Sequence, residues 1–161
     1  MWMREVIIAT LNGPSAGSIV SSNFPGGVLD RVPKIGTGVT ATPSAFWGPE
    51  NPLEAGKLKN TISVIDGGDN PSPGGAAHHG RVGFPLVYGW VTTAPSGETA
   101  LAALDGLLHT LFRRGVSYPV GNGKGAEIIV LERQPTRDAD DFGYPGREFA
   151  IWRLQGTYVS P

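Results

Sequence analysis

The chain contains no cysteine among its 161 residues, which excludes disulfides and every thiolate metal site. It also lacks an excess of charge of either sign: 13 lysines and arginines stand against 14 aspartates and glutamates. A protein that grips a phosphate backbone by releasing counterions gathers positive charge on one face. The one short basic cluster here is Arg113-Arg114. Nucleic acid is therefore not expected as the primary partner. No apolar run approaches the roughly 18 residues that cross a bilayer. The opening Met1-Trp2-Met3-Arg4-Glu5 has neither the basic segment nor the apolar stretch of a secretory signal. These absences lead us to expect a soluble chain, made in a cytoplasm, with no membrane partner.

What is abundant is glycine and proline. Together they supply 38 residues, 23 of them between Gly13 and Pro85. Hydrophobic residues still make up 40% of the chain, and a chain of this length buries about two-thirds of its unfolded surface without staples. We expect one domain over 1–161, with an extended loop region over 12–58 and a core of sheet and helix over 60–159. Turn-formers recur through the loop region, as in Phe24-Pro25-Gly26-Gly27 and Gly48-Pro49-Glu50-Asn51-Pro52. A loop of that length tends to be functional or ordered by a partner. Its apolar islands, Ile19-Val20 and Ala45-Phe46-Trp47, are candidates for anchoring it or for meeting another chain. Phe46 and Trp47, with Arg113 and Arg114, are the interface candidates.

One element is spelled out at both ends. From Ser96 to Gly115 the spacing predicts an amphipathic helix. Ser96 is the expected N-cap, and Glu98 puts negative charge in the first turn. Leu101, Leu104, Leu108 and Leu111 follow a 3-4-3 spacing, widened by Leu107 and Phe112. Gly115 is placed for a left-handed cap. Val6 to Leu11 is a short apolar block assigned to a brief helix.

Four strands are expected. Asn60 to Asp66 alternates and ends in Gly67-Gly68. Val82 to Val91 is interrupted by Pro85, so it is either an edge strand or regular only after the proline. Glu127 to Arg133 carries four consecutive apolar residues and reads as central. In Arg147 to Val159, Ala150, Trp152, Leu154 and Tyr158 share one face, against Arg147, Arg153, Gln155 and Thr157. The last two strands should pair antiparallel. The fold class is α+β: an antiparallel or mixed four-stranded sheet on one main helix plus a short N-terminal one, with long Gly/Pro-rich loops.

Chemistry is sparse. Gly13-Pro14-Ser15-Ala16-Gly17 matches the G-x-S-x-G nucleophile pattern, which needs a sharp strand-to-helix turn and an Asp, then a His, further on. Here no clean helix is expected after Ser15, and His78, His79 and His109 precede the last acidic cluster. His78 and His79 are adjacent, without the partner spacing of a zinc site, and His109 suits the end of the helix dipole. Asp138, Asp140 and Asp141 miss the calcium-loop pattern and read as a solvated acidic tip, with an ion or basic partner as the sharper alternative. Gly121-Asn122-Gly123-Lys124-Gly125 lacks phosphate-loop spacing and precedes a strand, so it reads as a turn. No nucleophile, base and orienter come together. We expect no catalytic residues, no cofactor and no metal.

The second half resembles the tail terminator proteins of long-tailed bacteriophages. The likeness runs from about Thr61 to Val159. It is carried by a strand ending Tyr88-Gly89-Trp90-Val91 and a helix with Ala100-Leu101-Ala102-Ala103-Leu104-Asp105-Gly106-Leu107-Leu108. Two strands follow, the last ending Phe149-Ala150-Ile151-Trp152-Arg153-Leu154-Gln155-Gly156-Thr157-Tyr158-Val159. The first half is longer and richer in glycine and proline than that family's pattern. The resemblance implies a structural virion protein, not an enzyme: a homo-hexameric ring capping the tail tube and meeting the head-side connector, in the tail or neck of the particle. Its partners would be further copies of itself, the tail tube protein and the connector protein, with DNA passing through unbound. Asp138, Asp140 and Asp141 would line the lumen or an interface. The alternatives are another ring protein of the neck and, in a different class, a small serine hydrolase using Ser15.

Overall fold

In the computed structural model, described over residues 3–30, 59–67, 69–71, 81–121, 123–139, 144 and 146–159, three helices pack against a curled sheet of nine strands. The helices are α1 (Met3–Leu11), α2 (Gly17–Asn23) and α3 (Pro95–Leu111). The strands are β1 (Val28–Leu29), β2 (Thr61–Ile65), β3 (Asp69–Pro71), β4 (Arg81–Gly83), β5 (Leu86–Thr92), β6 (Ser117–Gly121), β7 (Lys124–Arg133), β8 (Arg137–Asp138) and β9 (Arg147–Val159).

The four strands expected from the sequence are the spine of this sheet. β2, β5, β9 and β7 are successive neighbours, and each pairing is antiparallel. The expectation of four strands falls short because short members extend this spine. β1 adds to β2 in parallel, β6 adds to β7, and β8 lies beside the start of β9. β3 and β4 form an antiparallel pair that continues onto the far half of β9.

Pro85 explains part of this division. It has no N–H to give a ladder, so the predicted strand from Val82 splits into β4 and β5, and regular pairing resumes at Leu86. The carbonyl of Pro85 still accepts from Leu154 N at 3.0 Å. The edge-strand alternative is overturned: β5 is interior, with β2 on one side and β9 on the other.

The main helix differs from expectation at both ends. Ala94, in extended conformation, occupies the N-cap, and Pro95 takes the first turn, where a missing N–H costs nothing. Ser96 is therefore inside the helix and is not its cap. At the other end the helix stops at Leu111, four residues before Gly115, because Phe112 turns out of helical geometry and buries its ring. That ring packs on Tyr118 with centroids 5.5 Å apart. The Tyr118 hydroxyl donates to the Leu111 carbonyl at 2.5 Å, satisfying one of the carbonyls a helix end leaves open. Gly115 does take a left-handed φ of 84°, in the turn that follows.

The leucine stripe is core. Leu101, Leu104, Leu107, Leu108 and Leu111 are buried, and α3 lies against β5 and β7. Gly89 permits the close approach: a Cβ there would stand 2.9 Å from Leu101 Cδ2 and 3.2 Å from Trp152 Cζ3.

The expectation of a bare loop over 12–58 is corrected. It contains α2 and β1, and Ala16, Val20 and Phe24 are buried with Met3, Val6, Ile7 and Leu11 of α1 in the same core. The core is thus not confined to 60–159. Asn60 ties these parts together: its Nδ2 donates to Asn23 O at 3.0 Å, and its Oδ1 accepts from Thr92 N at 3.3 Å.

Candidate functional site

β9 organises both faces of the sheet. Ala150, Trp152 and Leu154 face the helices and are fully buried, as their alternation predicts. Trp152 Nε1 donates to Asp105 Oδ1 of α3 at 2.8 Å, and the Arg133 guanidinium stands 5.4 Å from its ring centre. The opposite face is not the polar surface its arginines suggest. There Trp90, Ala139, Tyr144 and Phe149 form a second buried cluster, flanked by Leu29, Tyr88 and Ile151. Trp90, Tyr88 and Phe149 form a triangle of rings: Trp90 stacks on Tyr88 at 5.7 Å and meets Phe149 at a tilt at 4.8 Å, and its Nε1 donates to the buried Ser63 hydroxyl at 2.9 Å. Burial raises the Tyr88 hydroxyl above its ordinary pKa, with Arg137 partly opposing it.

Two ionisable groups mark this end of the sheet. Arg147, expected on an open face, is 1% exposed, and burial lowers its pKa. Glu148 sits beside Asp138 in the register of β8 and β9. Burial raises its pKa, and the negative charges of Glu98 and Asp138 push it the same way. The acidic group that the structure assembles therefore joins Asp138 to Glu148 and Glu98, from three separate elements.

The other sequence candidates scatter. Asp138 is exposed, whereas Asp140 and Asp141 lie outside the described residues, as do Phe46, Trp47, His78 and His79. Arg113 and Arg114 are exposed in the turn between α3 and β6. His109 is exposed on α3, its Nδ1 2.9 Å from the Asp105 carbonyl oxygen. The glycine-rich Gly121–Gly125 stretch joins β6 to β7: Gly123, at a φ of 70°, falls in the tight turn, and Gly121, at 96°, falls at the irregularity in the ladder before it.

Ser15 is exposed in the turn between α1 and α2. A helix does follow it, contrary to expectation, but a helix also precedes it. The strand-to-helix turn that strains and presents a nucleophilic serine is therefore missing. Among the described residues no group of three or more histidines and carboxylates is placed to hold a metal ion.

Sequence reasoning missed Arg147 and its aromatic neighbours. The signal was parity: Phe149 and Ile151 fall on the same face of β9 as Arg147, and Tyr88 and Trp90 lie opposite them on β5.

No protein-family model matches this chain, and no curated protein is similar to it. Among solved structures, a chain described as "Virion of native gene transfer agent (GTA) particle" is similar at a TM-score of 0.46 and 13% identity. The likeness covers 97% of this chain and 93% of that one. No helix among the described residues is long and apolar enough to cross a membrane.

Proposed function

We propose that this chain is a structural virion protein, a single tail-terminator-like domain that caps a tail tube and joins it to the head-side connector as a homo-hexameric ring. The observation that carries the reading is the order and adjacency of its elements. Strand, strand, helix, strand and strand between Thr61 and Val159 build the spine β2-β5-β9-β7 with α3 packed on it, the layout on which the resemblance rests. The outer strands suit a closed assembly. β1 has two residues, and β6 carries Pro119, which withholds one ladder N–H. Such edges resist open-ended pairing while leaving backbone groups for a neighbour in a closed ring. The acidic group of Glu98, Asp138 and Glu148 would repel passing DNA if it faced the lumen.

The test is mass and location. The chain weighs 16.9 kDa, and sedimentation of the purified protein should reveal a species six times heavier. Purified particles should contain it in the same small ring stoichiometry. A chain that remains a monomer at every concentration and is missing from particles would overturn the reading.

A further inference from the structure

Arg147 is the one feature of the second cluster that its neighbours leave unexplained. Its Nε and both Nη atoms are buried, and none meets a hydrogen-bond partner. It takes part in neither the Arg4–Asp66 nor the His109–Asp105 ion pair. A guanidinium keeps its proton at any ordinary pH. An uncompensated buried charge is therefore among the costliest things a fold carries, and an anion of matching geometry relieves both the charge and the unmet donors at once.

We propose that Arg147 is a receptor for a single carboxylate, which pairs with the guanidinium through two parallel N–H···O bonds. The planar fork suits a carboxylate, and the apolar surroundings shared with Phe149 and Trp90 strengthen such a pair by excluding water. Access runs past β8, an outermost strand of two exposed residues that opens at small cost. The carboxylate comes either from a small molecule in solution or from an adjoining copy of this chain. The second source rests on the ring reading above.

Thermal unfolding of the full chain, diluted until sedimentation shows only the monomer so that no neighbouring copy fills the site, in sodium acetate against sodium chloride at equal ionic strength, tests the site directly. Acetate should raise the midpoint of the native chain and leave that of Arg147→Met unchanged. Arg147→Lys, charged but without the fork, should gain less than the native chain. In chloride, Arg147→Met should unfold roughly 4–8 °C higher than the native chain, because a buried unpaired charge has been replaced by an apolar side chain of similar length. An equal acetate gain in all three proteins, no gain in the native chain, or failure of Arg147→Met to fold overturns the proposal. Sedimentation then separates the sources. A native oligomer lost in Arg147→Met assigns the carboxylate to the neighbouring copy, and an unchanged mass assigns it to a free carboxylate. A native chain that never assembles removes the ring reading and leaves the acetate result to stand or fall alone.

Discussion

At the residue scale, two glycines in one helix illustrate how position decides the sign of a substitution. Gly106 lies on the exposed side of α3, and a Cβ there would meet nothing within 4 Å. Gly106→Ala should stabilise the protein by about 0.5–1 kcal/mol, raising the unfolding midpoint by roughly 2 °C, since alanine loses less backbone freedom on folding. Gly97 is buried in the first turn, where a Cβ would run into the backbone carbonyl of Thr92 and stand 3.1 Å from Val91 Cγ2. Gly97→Ala should cost about 2 kcal/mol or more, because the obstacle is backbone and cannot swing aside. The same calorimetric scan reads both.

Glu148 gives a pH prediction. Its carboxyl is raised above the ordinary 4.5, first by burial and then by Glu98 and Asp138. A carboxyl that holds its proton more tightly when folded favours the folded state on acidification. Its penalty is absent below about 4.5, grows as pH rises through the higher folded value, and is complete above it. Glu148→Gln should therefore be more stable than the native chain at neutral pH, with the gain vanishing as pH falls below that window. Chemical denaturation at several pH values measures it, and a gain that persists at low pH would contradict the account.

At the element scale, the joints matter more than the rods. Asn60 holds the end of α2, the start of β2 and the end of β5 through two side-chain hydrogen bonds. Asn60→Ala leaves the Asn23 carbonyl and the Thr92 amide without those partners, and should cost about 1–3 kcal/mol in denaturant midpoints. Hydrogen exchange at Thr92 should accelerate with it. Much at this scale was legible beforehand. The span of β9 and the apolar stripe of α3 announce themselves, because periodicity reports which face is buried. The helix ends did not, since Phe112 leaves the helix for a core that only the packed chain creates. α2 was hidden for a related reason. With seven residues and one buried side chain, Val20, it has almost no stripe to detect.

At the scale of the whole molecule, assembly can be separated from folding. Arg113 and Arg114 are exposed in a turn, and surface changes away from packed features stay within about 0.5 kcal/mol. Replacing both with glutamate should leave the unfolding midpoint unchanged. If these side chains meet a neighbouring copy, the same double variant should lose the heavier species in sedimentation. A variant that assembles like the native chain would remove the pair from the interface. The candidate site was less legible than the fold. Asp138 belongs to an acidic group, but of its described companions Glu98 comes from the start of α3 and Glu148 from the following strand, neither of them part of the acidic run. The alternation of β9 points Arg147 to an open face, whereas it lies buried.

The sequence by itself determined the α+β class, the four-strand spine and the helix that covers it, because alternation and stripe width follow from local geometry. It also established the absence of thiol chemistry, which composition alone decides. The tertiary structure decided what lies on the second face of the sheet. Whether an arginine at a strand's beginning meets water or a layer of aromatic rings depends on β5 and β8, brought beside β9 from elsewhere in the chain. Burial is a property of neighbours, and only folding supplies them.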